Sequence, residues 1–214
     1  MPIHDWSRVD PGIFHHFHQR WVVAITDVLN QRLLSDEYYA LIEQQGDGYK
    51  PDVTAETDLD FYRRKQNVVA VRHVSGDHLV AVVEVVSKGN KSGRKALDDF
   101  VRKAAEFLSH GVHLLILDVQ PTTSRDPQGI HGAIWDEVAG EEYTRPVDKP
   151  LTLVAYEAGT KIRAFIEPVA IGDSPVKMPL FLEPGRFVDV PIEETYALAF
   201  DYVPRRWRTV LEPG

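Results

Sequence analysis

The stretch that decides the fold is VAVVEVVSKGNKSGRKALDDF, residues 80–100. Its opening is β-branched or small at every position except Glu84, a composition that suits a buried strand better than a helix. The turn formers Ser87, Gly89, Asn90 and Gly93 then break the run. From Arg94 the period changes: Leu97, Phe100, Val101, Ala104, Ala105 and Leu108 trace one helical face, while Lys95, Asp98, Asp99, Arg102 and Glu106 occupy the other. Gly111 marks the stop, and VHLLILDV (residues 112–119) follows as an apolar strand ending in Asp118. Two apolar strands joined by a long amphipathic helix predict a β-α-β crossover around a parallel pair.

Upstream, NVVAVRHV (67–74) and HLVAVVEVV (78–86) predict a hairpin about SGD. PDVTAETD (51–58) alternates and reads as a further strand after a GDGYKP turn, whereas SDEYYALIEQQ (35–45) suits a strand or a helical end equally well. Phe14, Phe17, Trp21, Ile25, Val28 and Leu29 recur at helical spacing and predict a helix over 13–33. The expected core is therefore α-β-β-β-α-β. Downstream, IHGAIWDEV (130–138) reads as a short helix, LTLVAYEAG and TKIRAFIEPVAI (151–171) as a hairpin, and residues 175–200 as short, Pro-punctuated strands. These readings divide the chain into a core over 1–125 and a β-rich elaboration over 126–214 packed on it.

With 214 residues, 43% of them hydrophobic, the chain can bury a substantial core. A formal charge of −8 argues against a broadly basic surface, though not against a local basic cleft. The absence of cysteine excludes disulfides and thiolate chemistry. MPIHDWSRVDPG resembles no secretion signal, and no window reaches membrane-spanning length, so the expectation is a cytoplasmic protein without a membrane anchor.

Chemistry centres on Glu84. Period-two alternation sets it with Val80, Val82 and Val86, and a carboxylate among valines calls for a metal ion, a cation or several hydrogen bonds. Asp52, after Pro51, opens another expected strand, and Lys88, Lys91, Lys95 and Lys103 lie downstream of Glu84. Two carboxylates converging at strand ends suit Mg2+ or Mn2+, which prefer oxygen ligands; a bound water of lowered pKa and a nearby lysine would make a phosphodiesterase layout. Each residue has a plainer role available: Asp52 as a turn cap, the lysines as a solvated surface, Lys103 as the helical partner of Asp99 or Glu106.

The other motifs carry less. His15 and His18 share a helical face without a third ligand, so packing or capping is their expected role, whereas His110 and His113 flank Gly111, where a place at a cleft at the sheet end and a positional role are equally consistent. Ser87 lacks a nucleophile elbow, and no phosphate-binding glycine loop is present. Trp135, Tyr143, Phe165, Tyr196 and Tyr202 offer a C-terminal binding surface open to self-association. RRWR (205–208) is the strongest basic run.

Pro51–Asp52, EVVSKGNK from Glu84, the Lys103-x-x-x-Phe107-x-x-x-Gly111-Val112 helix end and LLILD, in that order, resemble the PD-(D/E)XK nuclease superfamily, especially its Uma2-like branch. FHHFHQRW, EVVSKGNK, GVHLLILD and MPLFLEPG together resemble the bacterial domain-of-unknown-function family numbered 4058 across nearly the whole chain. The resemblance implies a restriction-endonuclease-like α/β core. It also implies metal carboxylates at Asp52 and Glu84, with Glu43 as an additional ligand, and DNA as the partner. The superfamily's lysine two residues after the second carboxylate is Val86 here. In the Uma2-like pattern a lysine of the next helix takes that role; Lys103 matches it, with Lys88 second. The competing expectation is an inactive nuclease-like scaffold used for binding or assembly.

Overall fold

A computed structural model describes residues 1–45 and 66–212. The valine-rich run becomes the middle of an open six-stranded sheet with strand order β1-β2-β3-β4-β5-β6. The strands are β1 (Tyr38–Gln45), β2 (Gln66–His73), β3 (His78–Val85), β4 (His113–Asp118), β5 (Leu151–Glu157) and β6 (Arg163–Val169). Only β3 and β4 run parallel; every other neighbouring pair is antiparallel. Helix α2 (Arg94–Ser109) makes the crossover between them. The 35–45 stretch, ambiguous by periodicity, resolves as β1 because its Tyr38–Gln45 segment pairs with β2 along its whole length. The strand expected at PDVTAETD lies outside the described residues.

Each sheet face has its own apolar layer. Val69, Val71, Val83, Val85, Leu115, Leu117 and Leu153 pack toward α1 (Pro11–Val28) and toward β7 (Lys177–Glu183), which forms a hairpin with β8 (Arg186–Pro191). Val68, Val82, Leu114, Ile116, Val154 and Tyr156 pack toward α2 and α3 (Gly129–Ala139). Pro11 starts α1, where its missing N–H costs nothing. A π-turn over Leu29–Leu33 carries the chain off α1 toward β1. Gly140, at φ 64°, takes the left-handed conformation that closes α3.

Two sequence expectations need correcting. The β2–β3 register shifts where Val71 faces Ala81 and Arg72 faces Leu79, which leaves Val80 as an extra residue. Val80 consequently joins the α1 side, while Val82 and Val86 stay on the side of Glu84. The Pro-punctuated segment is not extended throughout: IEETYALAF forms helix α4 (Ile192–Phe200), which starts immediately after Pro191 with Glu193 and Glu194 in its first turn. RRWRTVL forms the short helix α5 (Arg205–Leu211). Because β5 and β6 extend the same sheet as β1–β4, the C-terminal part contributes strands to the core.

Candidate functional site

Glu84 sits opposite Ile116 on β4, and Ile116 in turn faces Val154 on β5. Alternation directs its side chain to the α2 layer, where Leu97, Phe100, Val101, Ala104 and Leu108 close over the sheet. Only 7% of Glu84 is exposed. Burial raises the carboxyl above the usual carboxylate range, and the positive charge of Lys103 pulls it partly back. Lys103 is half-buried, with Nζ 5.7 Å from the centroid of the Phe107 ring. Lys103, the lysine that the Uma2-like resemblance implies, is thus near enough for its charge to act on the Glu84 carboxyl.

The other expected site residues are held differently. Glu43 lies on β1 opposite Val68, and its carboxylate accepts from Arg72 Nε at 2.8 Å. Arg72 also donates to the Asp77 carbonyl oxygen, so this ion pair braces the β1–β3 meander. Lys88 donates to the carbonyl oxygens of Trp6 and Val9, at 3.2 and 3.4 Å, and thereby ties the β3–α2 turn to the N-terminal segment. Asp52 lies outside the described residues.

The histidines position structure. His18 lies against the end of β3, with Nε2–H donating to the Val85 carbonyl oxygen at 3.0 Å, and burial lowers its pKa to about 4. His110 bonds the Glu106 carbonyl at the end of α2, and His113 accepts from Ala158 N.

A buried ion cluster escaped the sequence reading. Lys91 Nζ contacts Asp118 Oδ2 at 2.7 Å and Asp126 Oδ2 at 2.9 Å, and donates to the Gln120 and Pro121 carbonyl oxygens at 3.1 and 3.4 Å. Asp118 Oδ1 also accepts from Gln120 N, and Asp126 Oδ1 from Thr123 N. All three charged residues are at most 4% exposed. Burial pushes the Asp118 carboxyl up while Lys91 draws it down. Surrounded by four oxygens and sealed from solvent, this lysine is a fastener between the β3–α2 turn and the β4–α3 loop, not a group that meets substrate. An apolar strand ending in Asp118 was the visible part of the signal.

Between α2 and α3 runs a groove of about 820 Å³ lined by Arg94, Asp98, Arg102, Asp136 and Tyr143, among others. Neither Glu84 nor Lys103 lines it, and its charges are of both signs. Among the described residues no group of three or more His, Asp or Glu side chains is placed to hold a metal ion together, and no helix is long and apolar enough to cross a membrane. No family model, no curated protein and no solved structure matches this chain.

Proposed function

We propose that the protein is a divalent-metal-dependent phosphodiesterase acting on DNA, built on a nuclease-like core. The observation that carries this reading is Glu84, a carboxylate beneath a crossover helix with Lys103 as its opposing charge. The described element order is compatible with it: α1, β1, β2 and β3, then α2 and a β4 parallel to β3, with the Asp52 strand that the resemblance implies outside the described residues. Glu84 is a hard oxygen donor, which fits an ion such as Mg2+ that takes one or two carboxylates and keeps several waters. When bound, Mg2+ or Mn2+ supplies a water of lowered pKa and positive charge for the phosphate.

In this reading Glu84 is a metal ligand, with Asp52 the second by resemblance, and Glu43 remains a weaker candidate because Arg72 engages it. Lys103 offsets charge on the phosphoryl oxygens as water attacks phosphorus and the opposite P–O bond breaks. Lys88, engaged by two carbonyl oxygens, is the weaker lysine candidate.

The second reading is an inactive scaffold of the same ancestry, and one observation favours it. Val86, two residues after Glu84, is fully buried in the apolar layer where the superfamily has its lysine. Calorimetric titration of Mn2+, paired with a DNA cleavage assay in Mg2+ or Mn2+, separates the readings. The enzyme predicts Mn2+ binding that Glu84→Gln abolishes, and cleavage that Lys103→Ala slows roughly a hundredfold. Folded wild-type protein that binds no Mn2+ and leaves DNA intact would favour the scaffold.

A further inference from the structure

The layer on the other side of the sheet from Glu84 carries a concentration of arginine that the phosphodiesterase reading does not use. The Arg20 guanidinium lies 4.1 Å from the centroid of the Tyr202 ring. One helical turn earlier on α1, His16 Nε2–H donates to the Tyr202 carbonyl oxygen at 3.1 Å. These two contacts tie the α4–α5 connection to α1. Helix α5 then opens with Arg205 and Arg206, and the turn Trp6–Arg8, which packs against α5, brings Arg8 to the same side. Arg8, His16, Arg20, Arg205 and Arg206 are exposed, and Tyr202 is 57% exposed. Among the described residues no carboxylate forms an ion pair with any of these four arginines, and the nearby Asp201 carboxylate is directed to Arg208 at 3.7 Å.

On a chain of formal charge −8 this is a local concentration of guanidinium groups. A guanidinium backed by an aromatic ring keeps its N–H fork free at the edge, the geometry that grips phosphate in a bidentate manner. Tyr202 has a second ring face on which a base can stack. A lipid surface would call for a band of apolar anchors, whereas Val23 and Leu198 are the two large aliphatic side chains exposed among the described residues of these helices. We propose that this arginine surface binds single-stranded nucleic acid, holding phosphates with Arg20, Arg205 and Arg206 and a base against Tyr202. The proposal stands without the phosphodiesterase reading.

The test is fluorescence anisotropy of a labelled oligothymidylate in EDTA across a salt series, so that binding is read apart from any hydrolysis. Wild-type protein is expected to bind, with affinity falling linearly on logarithmic axes of salt. Arg205→Gln with Arg206→Gln should weaken binding and flatten that slope by about 1.4, since each phosphate contact on a single strand contributes about 0.7. Arg20→Ala, read separately, should weaken binding as well, with circular dichroism confirming that each variant is folded. No binding by the wild type, or an unchanged slope in the folded double variant, overturns the proposal. Tighter arginine-dependent binding to phosphatidylserine vesicles or polyglutamate would also overturn it, in favour of a membrane or an acidic protein.

Discussion

Glu84 and His18 are both buried, one beneath a helix and the other against a strand end, and they respond to pH with opposite signs. The folded state raises the Glu84 carboxyl above its unfolded value of 4.5, so its contribution is complete below that value and is lost as pH rises through the folded pKa. His18 is lowered from 6.5 to about 4, so its contribution is complete above 6.5 and is lost as pH falls toward 4. Glu84→Gln should therefore stabilise the protein at mildly alkaline pH by on the order of 1 kcal/mol, the gain shrinking as pH falls toward 4.5. His18→Gln, which can keep the bond to the Val85 carbonyl, should flatten the acid limb by up to ~1.4 kcal/mol per pH unit. Urea titrations across this range read both effects. A Glu84→Gln protein less stable than wild type at alkaline pH would mean that attraction to Lys103 outweighs the burial of Glu84. Period-two alternation made the Glu84 burial legible because it is a local pattern, whereas Lys103 was pointed to by the resemblance to the Uma2-like pattern.

At the scale of elements, legibility failed where a distant contact decides the outcome. Lys91 sits in a turn rich in Ser, Gly and Asn, a setting that reads as solvated, and nothing within that turn reveals Asp118 and Asp126 as its partners. The extra residue at Val80 depends on β2, and so escapes a parity count along β3 alone. The β3–α2–β4 crossover was readable because its apolar runs and helix period are consecutive, while helix α4 was obscured by the prolines before it. The ion cluster joins the crossover's first turn to the loop that follows its second strand. Lys91→Met leaves two carboxylates buried without their cation and should cost about 3–5 kcal/mol in urea denaturation. Adding Asp118→Leu and Asp126→Asn should return part of that loss, because the remaining side chains then carry no uncompensated charge. A Lys91→Met protein as stable as wild type would remove the cluster as a fastener.

For the whole molecule, the same logic joins the two ends of the described chain. The Tyr196 hydroxyl accepts from His4 N and from Trp6 Nε1, both at 3.1 Å, which leaves its own proton for His4 Nδ1 at 3.0 Å. Trp21 Nε1 donates to Thr195 Oγ1 beside it. Phe17, Trp21, Tyr196 and Phe200 belong to one apolar cluster with Leu115, Leu153 and Leu180, so α1 completes its packing only when α4 and β7 are present. A chain cut after residue 125 would also leave β4 without β5, exposing the unpaired edge of a strand that is buried on both faces. We therefore expect residues 1–125 alone to show no cooperative unfolding transition by circular dichroism, and Tyr196→Phe in the full chain to lose about 1–3 kcal/mol through the buried N–H donors it strands. A sharp, reversible transition in the truncated chain would establish instead that the C-terminal strands and helices are an addition to a core that folds without them.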